Sequence, residues 1–129
     1  MTALRRGAPF PRNSNNVYIP AFIDLTDPAE ANGNPKYVNN ATGYWELRDA
    51  DTPTAYSAVP NVDGHTLASG SPVALGSGLG YRCDLIHTLP IVANTQYWFH
   101  VVLISTSGYV VDMTDTWEAI QRTGRTPVS

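Results

Sequence analysis

The chain has 129 residues, 43% of them hydrophobic and 15% charged, with a net charge of −3. That length suits one domain with a two-layer core, and no stretch approaches the roughly 18 apolar residues of a membrane-crossing helix. All eleven acids lie in residues 13–121 against Lys36, Arg48 and Arg82, giving the body −8, while the two ends carry five arginines and no acid.

The charged share is below the usual value of about 25%, so partners are expected to cover part of the surface. Basic ends on an acidic body suit contact with an acidic neighbouring surface. Direct nucleic-acid binding is not expected, because the body repels phosphate. Residues 1–11 hold no signal-peptide core, so synthesis and residence in a cytoplasm are expected. Ten Gly and ten Pro argue for short strands and turns. Seven Tyr, three Trp and three Phe suit a β protein.

Residues 1–16 hold Arg5, Arg6 and Arg12 with Pro9 and Pro11, and read as an extended basic arm. Phe10, between the prolines, is placed to anchor the arm on a partner or on its own domain. Residues 17–25 alternate, with Val17, Ile19, Ala21, Ile23 and Leu25 on one face. Pro20 has no amide to give, so this strand belongs at an edge or carries a bulge. Residues 26–40 are a loop with Asp27-Pro28, Asn32-Gly33 and Asn34-Pro35 turn signals.

Residues 41–48 form a second strand, with Trp45 and Leu47 opposite Tyr44, Glu46 and Arg48. A turn through Pro53, a short third strand over 54–59, a long loop over 60–70 and a fourth strand over 73–75 follow. Gly76-Ser77-Gly78 stops that strand. Three consecutive antiparallel strands then fill residues 78–122, and the upstream strands are expected to cover their sheet.

In the first of the three, Tyr81, Cys83 and Leu85 point inward, Arg82 and Asp84 outward. Leu89-Pro90 pins the connection that follows. Residues 96–105 are apolar on both faces, which makes the strand central or calls for a second covering surface. The cover is either the chain's own residue-17 strand and long loops, or a partner meeting Trp98, His100 and Val102. Residues 109–120 alternate again after a hairpin at Ser107-Gly108, and Asp115 marks a bulge or an exit from the core. Arg122 and Arg125 end the chain.

About seven short strands without a helical period predict an all-β, immunoglobulin-like antiparallel β-sandwich. A jelly roll or small barrel is the other option. The domain spans 17–122, with a short tail over 123–129.

Catalytic chemistry is not visible. Asp24, Asp27, Glu30, Asp49 and Asp51 match no calcium-loop spacing and read as turn formers. His65, His87 and His100 have no metal-ligand spacing. Gly76-Ser77-Gly78-Leu79-Gly80 precedes a strand and lacks Lys, so it is a hairpin link rather than a phosphate loop. The single cysteine, Cys83, reads as a buried small hydrophobe. No enzyme activity, cofactor or metal is expected. Tyr18, Phe22, Tyr44, Trp98 and Trp117 are aromatics that either line a patch for a protein or a sugar ring, or pack under the loops.

An ordered set of short motifs runs through the domain: Lys36-Tyr37-Val38-Asn39-Asn40-Ala41-Thr42, Leu47-Arg48-Asp49-Ala50-Asp51, Gly80-Tyr81-Arg82-Cys83-Asp84-Leu85, Leu89-Pro90, Tyr97 to Val101, Gly108 to Trp117, and Arg122. In order and spacing it resembles the small immunoglobulin-like structural proteins of tailed bacteriophages, over roughly residues 17–122. The loop over 60–70 and the arm over 1–16 depart from that pattern. The resemblance implies a non-enzymatic virion component present in many copies. It would be a capsid decoration protein bridging neighbouring subunits, with a head–tail junction or tail adaptor as alternative. Its partners would be a major capsid protein or tail subunits, met through Arg5, Arg6, Phe10, Arg12, Trp98, His100, Val102, Arg122 and Arg125. A glycan-binding module is the competing class.

Overall fold

The computed structural model describes residues 15–53, 57–85 and 91–119. Among them are seven strands and no helix: β1 (Asn15–Ile19), β2 (Thr42–Arg48), β3 (Thr66–Gly70), β4 (Val73–Ala74), β5 (Tyr81–Leu85), β6 (Thr95–Ile104) and β7 (Val110–Ala119). Two antiparallel sheets result, one in the order β1-β5-β4 and the other in the order β3-β2-β6-β7. Taken as strands B, C, C′, D, E, F and G, these are the B-E-D and C′-C-F-G sheets of an immunoglobulin-like sandwich.

Alternation explains the layering. Val17, Ile19, Tyr81, Cys83 and Leu85 from one sheet meet Trp45, Leu47, Tyr97, Phe99, Val101, Leu103, Trp117 and Ala119 from the other in one buried cluster. Phe99 stacks between Trp45 and Trp117, with ring centroids 5.8 and 4.9 Å away. Tyr97, near the start of β6, accepts a hydrogen bond on its hydroxyl from the Val92 amide at 2.8 Å. That back-bond from strand F is the tyrosine corner of such sandwiches.

Tight backbone approaches hold the sheets at their ends. Gly80 has φ +87°, and a Cβ there would lie 2.1 Å from the Ile19 carbonyl oxygen. Glycine is required at such a position, because both the conformation and the space exclude a side chain. The Tyr81 hydroxyl donates to the Val38 carbonyl at 2.6 Å and accepts from the Ala41 amide at 3.1 Å. The long β1–β2 connection is thereby tied to β5.

Several expectations need correction. The stretch over 78–122 does not form one sheet: β5 lies in the sheet opposite β6 and β7. Strand β1 stops before Pro20, and Leu25, expected inward, is 67% exposed. Residues 57–59 are not a strand, and residues 54–56 lie outside the described residues. The third strand falls instead at β3, inside the expected loop, where Thr66 and Ser69 pair with Arg48 and Glu46. No bulge occurs at Asp115, since β6 and β7 pair without interruption; the irregularity sits between Leu47 and Arg48. The central position of β6, between β2 and β7, agrees with its two apolar faces.

Candidate functional site

The outer face of the four-stranded sheet carries the densest polar chemistry. β2 presents Tyr44, Glu46 and Arg48 there, and all three are buried. β6 presents His100 and Val102, at 3% and 0% exposure. Register places Glu46 directly opposite His100, and Asp112 on β7 diagonal to it. His100 Nδ1 lies 2.6 Å from Glu46 Oε2, and His100 Nε2 lies 2.6 Å from Asp112 Oδ1. Both ring nitrogens therefore lie within hydrogen-bonding distance of a carboxylate.

The cover over this face is the chain's own. After β2 the backbone folds back across the sheet before returning as β3. Arg48, fully buried, donates to the carbonyls of Ala50 and Asp51 at 3.2 and 3.0 Å and to the Asp63 carboxylate at 2.5 Å. Its Nη1 is also 3.5 Å from Glu46 Oε1. The Asn61 amide and the Thr66 hydroxyl donate to Glu46, and the Tyr44 hydroxyl donates to the Ser57 carbonyl. Burial pushes the Glu46 carboxyl up, but the bonds from Thr66, His100 and Asn61 outweigh it and hold the group below its usual range. The Arg48 guanidinium holds Asp63 down at about 2.

At the end where β1 leaves the sandwich, Asp24 plays a similar part. It is buried and accepts from the Thr26 amide and from the hydroxyls of Thr26, Ser105 and Ser107. The Ser107 and Thr26 hydroxyls hold its carboxyl at about 2. This joins the β1–β2 connection to the β6–β7 hairpin. Asp51 takes its turn role through the Thr52 amide, Asp27 pairs with Lys36, and Asp49 faces His65. Among the described residues no three His, Cys, Asp or Glu side chains are placed to hold a metal. Cys83 is buried, and its thiol is pushed up to about 12 by burial.

Of the residues expected to meet a partner, His100 and Val102 are sealed beneath the chain's own cover, and Trp98 is half-buried. Arg5, Arg6, Phe10, Arg12, Arg122 and Arg125 lie outside the described residues, as do His87 and Leu89-Pro90. Tyr44 and Trp117 are buried, and Phe22 packs on Tyr81 and Tyr109. Exposed apolar surface lies elsewhere. Tyr18 and Val73 flank Arg82 in one row across the three-stranded sheet. Leu25, Tyr37 and Leu79 project from the β1–β2 connection and the β4–β5 turn.

Sequence reasoning missed the Glu46–His100–Asp112 chain and the Arg48–Asp63 pair. The available signal was a set of polar residues at the outward positions of β2, β6 and β7. Its meaning depends on register, which alternation within single strands does not supply. No family model, curated protein or solved structure matches the chain.

Proposed function

We propose that the chain is a non-enzymatic structural protein of a tailed bacteriophage particle, acting as a capsid decoration protein that bridges neighbouring subunits. The observation that carries this reading is the interlocking of the motif residues behind the resemblance. Tyr81 of the Gly80-Tyr81-Arg82 run bonds to Val38 and Ala41 of the first run, and the Gly78 amide donates to Asn39. Arg48 closes the Leu47-to-Asp51 run on itself. These contacts tie three of the motif runs to the fold's ends and turns, which supports reading them as parts of one set.

A binding role also suits the chemistry. Both His100 nitrogens are committed to carboxylates, so neither is left to take a proton from a nucleophile. The sealed outer face makes the sandwich a stiff platform. The row at Tyr18, Arg82 and Val73 and the loop-end side chains Leu25, Tyr37 and Leu79 offer apolar contact area, and the arginine-rich ends suit acidic neighbours.

The test is add-back. Purified chain is mixed with particles assembled without it, and with separated heads and tails. Saturable co-sedimentation with heads is expected. Binding to tails alone would move the protein to the adaptor class, and binding to neither would overturn the particle role.

A further inference from the structure

The sequence holds one Asn-Gly pair, Asn32-Gly33. It forms the tip of a small hairpin in the β1–β2 connection, closed by the Ala29–Pro35 bridge and by the Glu30 amide on the Asn34 carbonyl at 2.8 Å. Both residues are exposed. Gly33 has φ +86°, and a Cβ there would meet nothing within 4 Å. The Asn34 amide donates to Asn32 Oδ1 at 3.0 Å. That bond holds the side-chain carbonyl back along the main chain as an Asx turn.

Three features of this tip favour attack of the Gly33 nitrogen on Asn32 Cγ. A glycine puts no side chain beside the nitrogen. The Asn34 amide is aimed at the oxygen that gains negative charge as the new bond forms, the role of an oxyanion donor. The bond that occupies the nitrogen, from Gly33 to the Glu30 carbonyl at 2.9 Å, belongs to an exposed turn, and such bonds open at little cost. Other asparagines differ. Asn39 turns its Oδ1 to the Gly78 amide, and the Ala41 amide that follows Asn40 is held by the Tyr81 hydroxyl. Asn61 and Asn94 precede Val62 and Thr95, which are branched at Cβ. Asn34 precedes Pro35, which has no amide hydrogen to lose. Asp63-Gly64 has a similar turn, with Oδ1 accepting from the His65 amide at 3.2 Å, but its Oδ2 is paired with Arg48. A carboxylate kept ionised offers no leaving group.

We propose that Asn32 is a self-modification site, at which the exposed turn converts its own asparagine to aspartate or isoaspartate with water as co-reactant. The Gly33 nitrogen loses its proton and bonds to Asn32 Cγ. The Cγ–Nδ2 bond breaks, and ammonia leaves with that proton as a five-membered imide closes. Water then opens the imide. Opening at Cγ gives aspartate and restores the original main chain. Opening at the main-chain carbonyl gives isoaspartate, which routes the chain through the former side chain and lengthens the turn by one carbon. Either product adds one negative charge to the exposed tip.

Purified full chain is incubated in mildly alkaline buffer beside a synthetic peptide of residues 29–35 until half of the peptide has converted. Peptide mass spectrometry is expected to find a gain of one mass unit at Asn32 and none at Asn39, Asn61 or Asn94. Isoaspartyl methyltransferase is expected to label the same peptide. Gly33→Ala should slow the conversion several-fold, because a Cβ then crowds the attacking nitrogen. An Asn32 still intact when the free peptide has half converted overturns the proposal. Equal conversion at the other asparagines also overturns it, since general unfolding would then be the route. Mass gain without methyl labelling, or an unchanged rate in Gly33→Ala, overturns attack by the Gly33 nitrogen.

Discussion

His100 Nδ1 sits 2.6 Å from Glu46 Oε2 on the face of the sheet that points away from the core, and both side chains are buried. An outward face of this kind is ordinarily solvated. Here residues 49–53 and 57–65 lie over it, pinned by bonds to Tyr44, Glu46 and Arg48. Removing one partner of a buried pair leaves the other uncompensated, which costs more than the pair itself contributes.

His100→Ala leaves Glu46 and Asp112 without their His100 partner and is expected to destabilise the domain by about 1–3 kcal/mol. The urea midpoint checks this. An unchanged midpoint would mean that the Glu46–His100–Asp112 chain holds nothing.

Acid should loosen both this cover and the Asp24 junction between the β1–β2 connection and the β6–β7 hairpin. Asp24 and Asp63 have folded values near 2 against an ordinary 3.8, and Glu46 is also held low. A depressed carboxyl contributes stability that is full above its unfolded value and is lost as pH falls through its folded one. Stability should fall between about pH 4 and pH 2. Asp63→Asn should make that fall shallower. Urea midpoints measured across the window decide it, and identical slopes for the two proteins would contradict the assignment.

Tyr81→Phe removes one hydroxyl that serves two backbone groups, the Val38 carbonyl and the Ala41 amide. Leaving them unmatched should cost about 1–3 kcal/mol. Hydrogen exchange should rise at the Ala41 amide and stay unchanged at Val102, in the centre of β6.

Gly80→Ala should cost on the order of 3 kcal/mol, combining the positive φ with the approach to Ile19. Gly33 provides the contrast: its φ is +86°, but a Cβ there meets nothing within 4 Å. Gly33→Ala should cost only about 1–2 kcal/mol. Thermal unfolding of the two variants compares them directly, and equal losses would remove the steric part of the account.

Much of the fold was legible because alternation is local. Tyr81, Cys83 and Leu85, and Trp45 opposite Glu46, reveal their faces from sequence alone. The two-faced apolarity of residues 96–105 marked the strand as central or in need of a second cover, and β6 is central. The cover was harder to read. Residues 60–70 have no apolar alternation, because β3 pairs with β2 at a sheet edge and takes its place by backbone bonds. Arg48 is the same kind of case. Nothing in an alternating strand says that an outward arginine is fully buried; three acceptors brought by a returning loop make it so. Trp98, His100 and Val102 were read as wanting a cover, and two of them have one from within the chain.

The most direct test of the particle role is the amount of this chain in purified particles. Quantitative mass spectrometry of density-purified virions is expected to find it in numbers comparable to the major shell protein. A handful of copies per particle would contradict decoration, and its absence from virions would contradict the structural role altogether.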